Sequence, residues 1–290
     1  LGHSIAYGIP EGGYFGTFDI WGDGSAVETG YSDPSDNIFQ TVFSAVATFV
    51  ALRTVNNSKA NFNKTVLALL AIYTTFIYST GMGWQWGGGY LAAAGFSDFS
   101  GSMICWGGPA VMSLIFTIIF PMFGDVNFGD KFEYKSDFMG SILLIIGFLG
   151  WNGGSQLAFG TFDDSTAVSE IMLNTLNFAF GSILAGLFTG NYTPLPGLIS
   201  SAADPLTPTP IASFLIGFCS SILSHFANLY CVNHLKIPNE KDLGIIASAI
   251  FGSLAVPLTN SDVSNGHQLI GIFSYIILFT ITSFIIFNII

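Results

Sequence analysis

The chain has 290 residues, of which 51% are hydrophobic and only 9% are charged, and its formal net charge is −11 at pH 7. Soluble domains carry about 25% charged residues, so this composition excludes a soluble globular domain, and its hydrophobicity excludes intrinsic disorder. Only 7 lysines and arginines stand against 18 acidic residues, which excludes a basic nucleic-acid-binding protein. The composition therefore predicts an integral, multi-pass membrane protein whose partner is the lipid bilayer.

Hydrophobic runs follow one another along the chain, and a helix that spans a bilayer needs about 20 mostly apolar residues. The predicted spans are 36–55, 64–86, 98–122, 138–157, 168–189, 208–231, 243–260 and 267–290. The segment 1–35 is rich in glycine and acidic residues, and we expect it to form an ordered loop. We expect the rest, 36–290, to form one transmembrane helical domain.

The basic residues fall in or beside every second loop between these spans, and the intervening loops carry acidic residues only. Cytoplasmic loops of membrane proteins hold an excess of Lys and Arg, so this alternation places residues 1–35 on the extracytoplasmic side. The basic residues are Arg53, Lys59, Lys64, Lys131, Lys135, Lys236 and Lys241.

The alternation requires one more crossing than the eight hydrophobic runs provide. The span 168–189 ends on the cytoplasmic side, whereas 208–231 has to begin on the opposite side. The stretch between them, NYTPLPGLISSAADPLTP, is short and interrupted by proline, and an irregular element survives at membrane depth only when protein buries it. We therefore expect about nine crossings, one of them irregular; a re-entrant loop combined with a miscounted span is the alternative.

Few polar residues in the predicted spans could act on a solute. Asp98 begins the segment DFSGS, where its carboxylate could cap a helix by accepting backbone N–H bonds or contribute negative potential for a cation. Trp86 could belong to an interfacial aromatic belt or bind a small cation through its ring face. In GFLGWNGGS, Asn152 could bond to neighbouring helices, and the Ser155 hydroxyl could meet a solute.

Signatures of catalysis and of bound cofactors are missing from the sequence. We find no Ser/His/Asp arrangement, no Cys and His spacing typical of a metal site and no Gly-rich phosphate loop followed by lysine. The sequence therefore predicts neither an enzyme nor a metal or cofactor site.

Several motifs resemble those of the ammonium transporter / Rhesus glycoprotein family. The run IYSTGMGWQWGGGYLAAAGFSDFSGS over 77–102 resembles the family's stretch from Tyr-Ser-Pro through Trp-Gly-Gly-Gly to Leu-Asp-Phe-Ala-Gly-Gly. GFLGWNGGS, VFSAVAT and NGHQL resemble three further motifs, in the family's order, and the resemblance covers nearly the whole chain. LGHSIAYG resembles the end of the family's second helix, so nine of the family's eleven helices are expected here and the first two are expected to be absent.

This resemblance implies an all-α membrane bundle of the ammonium-transporter type, a homotrimer or a subunit of a larger membrane complex, and ammonium or ammonia as the substrate. It also implies roles for individual residues. The implied substrate-binding residues are Phe43, Trp86, Asp98 and Ser155. The implied pore-lining residues are Tyr78, Trp106, Phe148, Trp151, Asn152, Ile245 and Ile246.

The central pore of this chain departs from the family. The two histidines that the family places there fall on Trp106 and on Ile245 or Ile246, and an indole donates a hydrogen bond but cannot accept a proton. The resemblance thus implies transport of ammonium or ammonia through an atypical pore. A transport-inactive structural, sensory or accessory subunit is one alternative, and a channel for a small neutral solute is another.

Overall fold

The computed structural model describes residues 2–8, 11–16, 33–53, 69, 71–119, 138–235, 237 and 241–289. Regular structure in this part of the chain is entirely helical. The α-helices are α1 (Gly2–Tyr7), α2 (Asp33–Ala51), α3 (Ser79–Gln85), α4 (Tyr90–Ala93), α5 (Gly108–Ile119), α6 (Phe138–Gly154), α7 (Phe162–Thr189), α8 (Leu195–Ser201), α9 (Pro210–Tyr230), α10 (Asp242–Thr259) and α11 (Asn265–Ile289). Three π-helical segments, Tyr73–Tyr78, Ser102–Gly107 and Cys231–Leu235, adjoin them.

Five helical stretches of the described residues are long and apolar enough to cross a membrane, and the shorter α6 is also apolar. The five stretches are Ser102–Ile119, Phe162–Thr189, Pro210–Leu235, Asp242–Thr259 and Asn265–Ile286. They confirm an integral, multi-pass helical membrane protein. The expected spans 36–55 and 64–86 run partly outside the described residues, so the count of nine crossings stays a prediction.

The chain forms two compact units, and the first comprises residues 1–96, 104–131 and 269–290. Its core holds large aromatic side chains such as Tyr73, Phe116 and Phe279, all fully buried. Within this unit the Tyr275 hydroxyl donates to the Gly81 carbonyl oxygen over 3.0 Å and so ties α11 to α3.

The second unit comprises residues 97–103 and 132–268. The short helix α8 lies at its centre and packs against α7, α9 and α10. Three serine hydroxyls secure this centre: Ser182 donates to the Thr193 carbonyl oxygen, and Ser220 accepts from Ser200 and donates to the Pro196 carbonyl oxygen.

The irregular stretch 190–207 has the burial that the topology requires. Its seven-residue helix α8 is almost wholly buried, and at 1.5 Å per residue it extends only about 10 Å. The helix is thus an interior element, as predicted, but too short to span a bilayer by itself. Whether this stretch provides the ninth crossing stays a prediction.

Residues 2–7 form helix α1, where the composition led us to expect a loop. A helix of six residues is unstable in isolation, so tertiary contacts must hold it. It packs against α3, with Ile5 and Ala6 buried. The glycine-rich composition of 1–35 hid this short helix.

Helix α7 begins at Phe162, six residues before the predicted start of its span. Thr161 and Asp164 form a capping box, in which the Thr161 hydroxyl accepts from the Asp164 backbone N–H over 3.1 Å and the Asp164 carboxylate accepts from the Thr161 N–H over 2.9 Å. Acidic side chains also favour the first turn of a helix through its dipole. The acidic residues after 162 therefore lie on the helix and not in a loop.

We expect Thr161→Ala to lower the free energy of unfolding by about 1 kcal/mol, the usual cost of losing a side-chain N-cap. Thermal melting of the detergent-solubilised protein measures this, with Thr166→Ala as the control. The Thr166 hydroxyl bonds to the Phe162 carbonyl oxygen on the same exposed turn and caps no N–H group. Equal melting temperatures for the two variants would contradict the capping role.

Candidate functional site

Two aromatic residues from the sequence prediction meet in the first unit. The rings of Phe43, on α2, and Trp86, which ends α3, lie edge to face with centroids 5.8 Å apart and an interplanar angle of 82°. Phe43 is buried, whereas Trp86 is half-buried. A partly accessible indole face beside a second ring can attract a small cation, because the π system is negative over its face.

Backbone contacts hold the Gly-Gly-Gly turn after Trp86 in place. The Gly12 N–H donates to the Gly88 carbonyl oxygen and the Tyr90 N–H donates to the Gly13 carbonyl oxygen, both over 3.0 Å. Gly88 has a φ of +75°, which favours glycine, and a Cβ at Gly87 would collide with the Ala6 carbonyl. The glycines thus let the chain turn sharply and pack closely where Trp86 is presented.

Tyr78 and Trp106 also lie in the first unit, each within a π-helical segment. The Tyr78 hydroxyl is 3.5 Å from the Cys105 sulfur, and both residues are buried. Trp106 follows directly and is 7% exposed. Short π-helical segments occur frequently at functional sites, so their position here agrees with the proposed pore-lining roles without testing them.

Asp98 lies in the second unit and caps the helical segment that follows it. Its two carboxylate oxygens accept from the backbone N–H groups of Ser102, over 2.6 Å, and Met103, over 2.9 Å. The side chain is fully buried. The capping interpretation of Asp98 is therefore confirmed, and any contribution to cation binding remains a proposal.

A buried polar network surrounds Asn152 in the second unit. The Asn152 carbonyl oxygen accepts from the Ser100 hydroxyl over 2.6 Å, and its amide nitrogen donates to the hydroxyl oxygens of Thr175 and Ser201, each over 2.9 Å. The Trp151 indole N–H donates to the Ser100 carbonyl oxygen over 2.8 Å. The interpretation of Asn152 as an interhelical bonding residue is thus confirmed.

The remaining predicted residues of the second unit are placed as follows. The Ser155 hydroxyl donates to the Trp151 carbonyl oxygen over 2.9 Å. The Phe148 ring stacks on the Trp151 ring, and their centroids are 6.1 Å apart. Ile245 and Ile246 are buried in α10. The hydroxyl oxygen of Ser155 keeps lone pairs with which it could accept a bond from a solute.

The structure therefore brings together Phe43 with Trp86 in one unit, and Asp98, Trp151 and Asn152 around the segment 97–102 in the other. Sequence reasoning missed the hydrogen-bonding residues Gln40, Ser100, Thr175 and Ser201. A signal for Ser100 existed in the polar DFSGS segment. The other three each stand beside one further polar residue in their helices, and so short a polar run does not reveal its partner.

Comparison with known proteins identifies relatives of the whole chain. The model of the Ammonium Transporter Family matches residues 1–290. A relative from Synechocystis is 29% identical over 301 residues, which cover 93% of this chain and 67% of the relative. Ammonium transporter Amt1 of Archaeoglobus fulgidus is 28% identical over 245 residues, which cover 79% of this chain and 61% of the transporter. The chain thus spans about two thirds of the length of these relatives or less.

Solved structures share the fold. A protein described as a sensor Amt protein superposes with a TM-score of 0.82 at 20% identity, covering 100% of this chain and 80% of that one. Candida albicans Mep2 superposes with a TM-score of 0.80 at 21% identity, covering 98% of this chain and 71% of Mep2. At these identities the likeness establishes a common helical membrane bundle, which confirms the predicted fold class.

Proposed function

The chain belongs to the ammonium transporter family, and from that premise we propose that it moves ammonium or ammonia across its membrane through an atypical pore. Curated relatives from Archaeoglobus fulgidus and Bacillus subtilis are named ammonium transporters. The observation that carries the proposal is the Phe43–Trp86 pair, because a half-buried indole beside a second ring can hold a small cation. We also propose a homotrimer, on the family resemblance alone.

Recruitment of ammonium would begin at this aromatic pair. The ring quadrupoles attract the cation, and at a partly exposed position the cation loses little of its hydration. Such contacts contribute about 1 kcal/mol or somewhat more to the binding free energy. The Asp98 and Ser155 assignments rest on the family resemblance. For Asp98, the carboxylate that caps the next segment would also add negative potential.

The atypical character lies at Trp106, Ile245 and Ile246. An indole N–H can donate but offers no basic nitrogen lone pair, and the isoleucines offer neither donor nor acceptor. A proton released from ammonium therefore has no imidazole to accept it at these three positions. Conduction would have to proceed without the imidazole relay that the resemblance implies for other family members.

A transport-inactive sensory or accessory role is the second candidate, and Trp106 favours it. The indole is large, 7% exposed and stands where the resemblance implies a smaller imidazole, so it would narrow or close a pore. The fold is shared with a protein described as a sensor, although that likeness concerns the fold alone.

Currents evoked by ammonium jumps on proteoliposomes test the proposal. We expect a wild-type current that saturates with ammonium, and an apparent affinity about tenfold weaker in Trp86→Ala, because the cation–π contact is lost. Phe49→Leu is the control, since Phe49 lies on the same helix as Phe43 but is 64% exposed.

The outcomes separate the two candidate functions. A wild-type protein that is folded yet passes no current would contradict transport and favour the sensory or accessory role. A current whose ammonium dependence is the same in Trp86→Ala and Phe49→Leu would leave transport standing and exclude the aromatic pair as its recruitment site.

A further inference from the structure

Gln40, on α2, carries a buried hydrogen-bond acceptor that no described residue uses. The residue is 7% exposed, and its amide nitrogen donates to Oδ1 of Asp36 over 3.2 Å. Its carbonyl oxygen is buried and has no hydrogen-bond partner among the described residues. Buried polar atoms are nearly always paired in native proteins, so an unpaired one suggests a ligand that completes it.

The orientation of this amide is fixed by its neighbour. An ionised carboxylate only accepts hydrogen bonds, so the nitrogen of the Gln40 amide must face Asp36 and the oxygen must point away from it. This assignment follows from the bonding network, as it must for any amide. The free acceptor is therefore the amide oxygen, and the amide nitrogen is the atom that Asp36 binds.

Asp36 is itself held at both carboxylate oxygens. Oδ1 receives the Gln40 amide, and Oδ2 lies 3.0 Å from Nε2 of His3. The His3 ring packs on Tyr7 with centroids 4.7 Å apart, which anchors the imidazole to α1. His3, Asp36 and Gln40 thus form a bonded series within the first unit, and the unused oxygen lies at its end.

The helical register places Gln40 on the same face of α2 as one member of the aromatic pair. Gln40 and Phe43 are three residues apart, so their side chains lie on one face of α2. Phe43 in turn meets the Trp86 ring. Ring faces attract a cation but give it no directional partner, whereas ammonium has four N–H donors and no acceptor. A carbonyl oxygen supplies the missing partner.

We propose that Gln40 is a further substrate-binding residue, whose carbonyl oxygen accepts a hydrogen bond from ammonium held at Phe43 and Trp86, and that His3 and Asp36 are positioning residues for it. The inference rests on the proposed function in that it uses the same aromatic pair. It adds a directional contact that selects a cation carrying N–H groups.

Calorimetric titration of the purified full chain with ammonium chloride tests the inference without requiring transport. We expect Gln40→Leu to bind ammonium about tenfold more weakly, the usual effect of removing a hydrogen bond to a charged group. Gln40→Glu keeps an acceptor oxygen, although it cannot donate to Asp36, and it should bind ammonium more tightly than Gln40→Leu does. Thr41→Val, an exposed neighbour that also loses a polar group, should match the wild type.

The positioning role has its own readout. In Asp36→Asn an acceptor-only carboxylate is replaced by an amide that can both donate and accept, so the Gln40 amide is no longer fixed and can turn its oxygen toward residue 36. Affinity should then fall as in Gln40→Leu, and Asp36→Asn combined with Gln40→Leu should weaken binding no further. Additive losses in the double variant would contradict the positioning role, since they would mark two independent effects.

The outcomes distinguish this inference from the proposed function. If Trp86→Leu weakens ammonium binding while Gln40→Leu binds like Thr41→Val, the inference is overturned and the aromatic site stands. Binding that depends on Gln40 in a protein that passes no ammonium current supports the inference and contradicts transport. A wild-type protein that binds no ammonium overturns the recruitment site and Gln40 with it. Gln40→Glu decides the question if Gln40→Leu does not fold.

Discussion

A single methyl group added at Gly217 is expected to destabilise the second unit by about 3 kcal/mol, the upper end of the usual cost of overpacking. A Cβ at Gly217, on α9, would collide with the Phe178 carbonyl of α7. The contact is reciprocal, because a Cβ at Gly181 on α7 would collide with the Phe214 carbonyl of α9. The two backbones touch at both positions, so neither helix can yield without separating from the other.

Thermal melting of Gly217→Ala and Gly181→Ala measures the effect, and α6 offers matched controls. A Cβ at Gly147 or Gly150 would meet nothing within 4 Å. Alanine at these two positions should be neutral or stabilising by up to about 1 kcal/mol, because it favours the helix over glycine. Equal melting temperatures for Gly217→Ala and Gly150→Ala would contradict the close approach of α7 and α9.

The same glycines illustrate what the sequence could predict. The run GSILAG at 181–186 is typical of tight packing, since small residues let membrane helices approach closely; the structure packs α9 closely at Gly181, and at Gly186 a Cβ would collide with Tyr192 in the following loop. The pattern could not name the partner helix. Gly181 meets Phe214 across a separation of 33 residues, which no local periodicity encodes.

Helix-capping hydrogen bonds could also be predicted from the sequence, because their donors and acceptors lie within about one helical turn of each other. Asp98 caps the residues directly after it, and Thr161 with Asp164 follows the spacing of a capping box. The span prediction placed the start of α7 too late because it weighed the acidic residues as loop residues rather than as first-turn residues. Composition and local chemistry pointed in opposite directions there, and the cap determines where the helix begins.

The candidate site shows the opposite case. The spacing of Asp36 and Gln40 is helical, but the bond from Asp36 to His3 joins residues 33 apart. Hydropathy gives no weight to a lone histidine in a short segment, and the resemblance of LGHSIAYG to the family implies no role for it. Only the packing of α1 in the first unit brings the imidazole to α2.

We expect Asn152→Leu to lower the free energy of unfolding by about 2 kcal/mol or more. Interhelical hydrogen bonds in membrane proteins contribute on average about 0.6 kcal/mol each and at most about 1.7, and Asn152 makes two of them, to Thr175 and Ser201, besides one with the loop residue Ser100. The hydroxyls of Thr175 and Ser201 donate to carbonyl oxygens of their own helices. They therefore need the Asn152 amide as the donor to their remaining lone pairs.

Thermal melting of Asn152→Leu and Asn177→Leu, measured side by side, separates the effect of losing the buried network from the effect of replacing any helical asparagine by leucine. Asn177 lies on α7, and within the described part of the chain its amide bonds to the Leu173 carbonyl oxygen one turn earlier and to nothing else, so its replacement should be nearly neutral. The leucine side chain has the same number and branching of heavy atoms as asparagine and is somewhat larger, so the substitution removes the hydrogen bonds without leaving a cavity. If both melt alike, the buried network is not what joins α6 to α7 and α8. If Asn152→Leu alone is destabilised, the residue that the family resemblance places in the pore wall also stabilises the fold of the second unit.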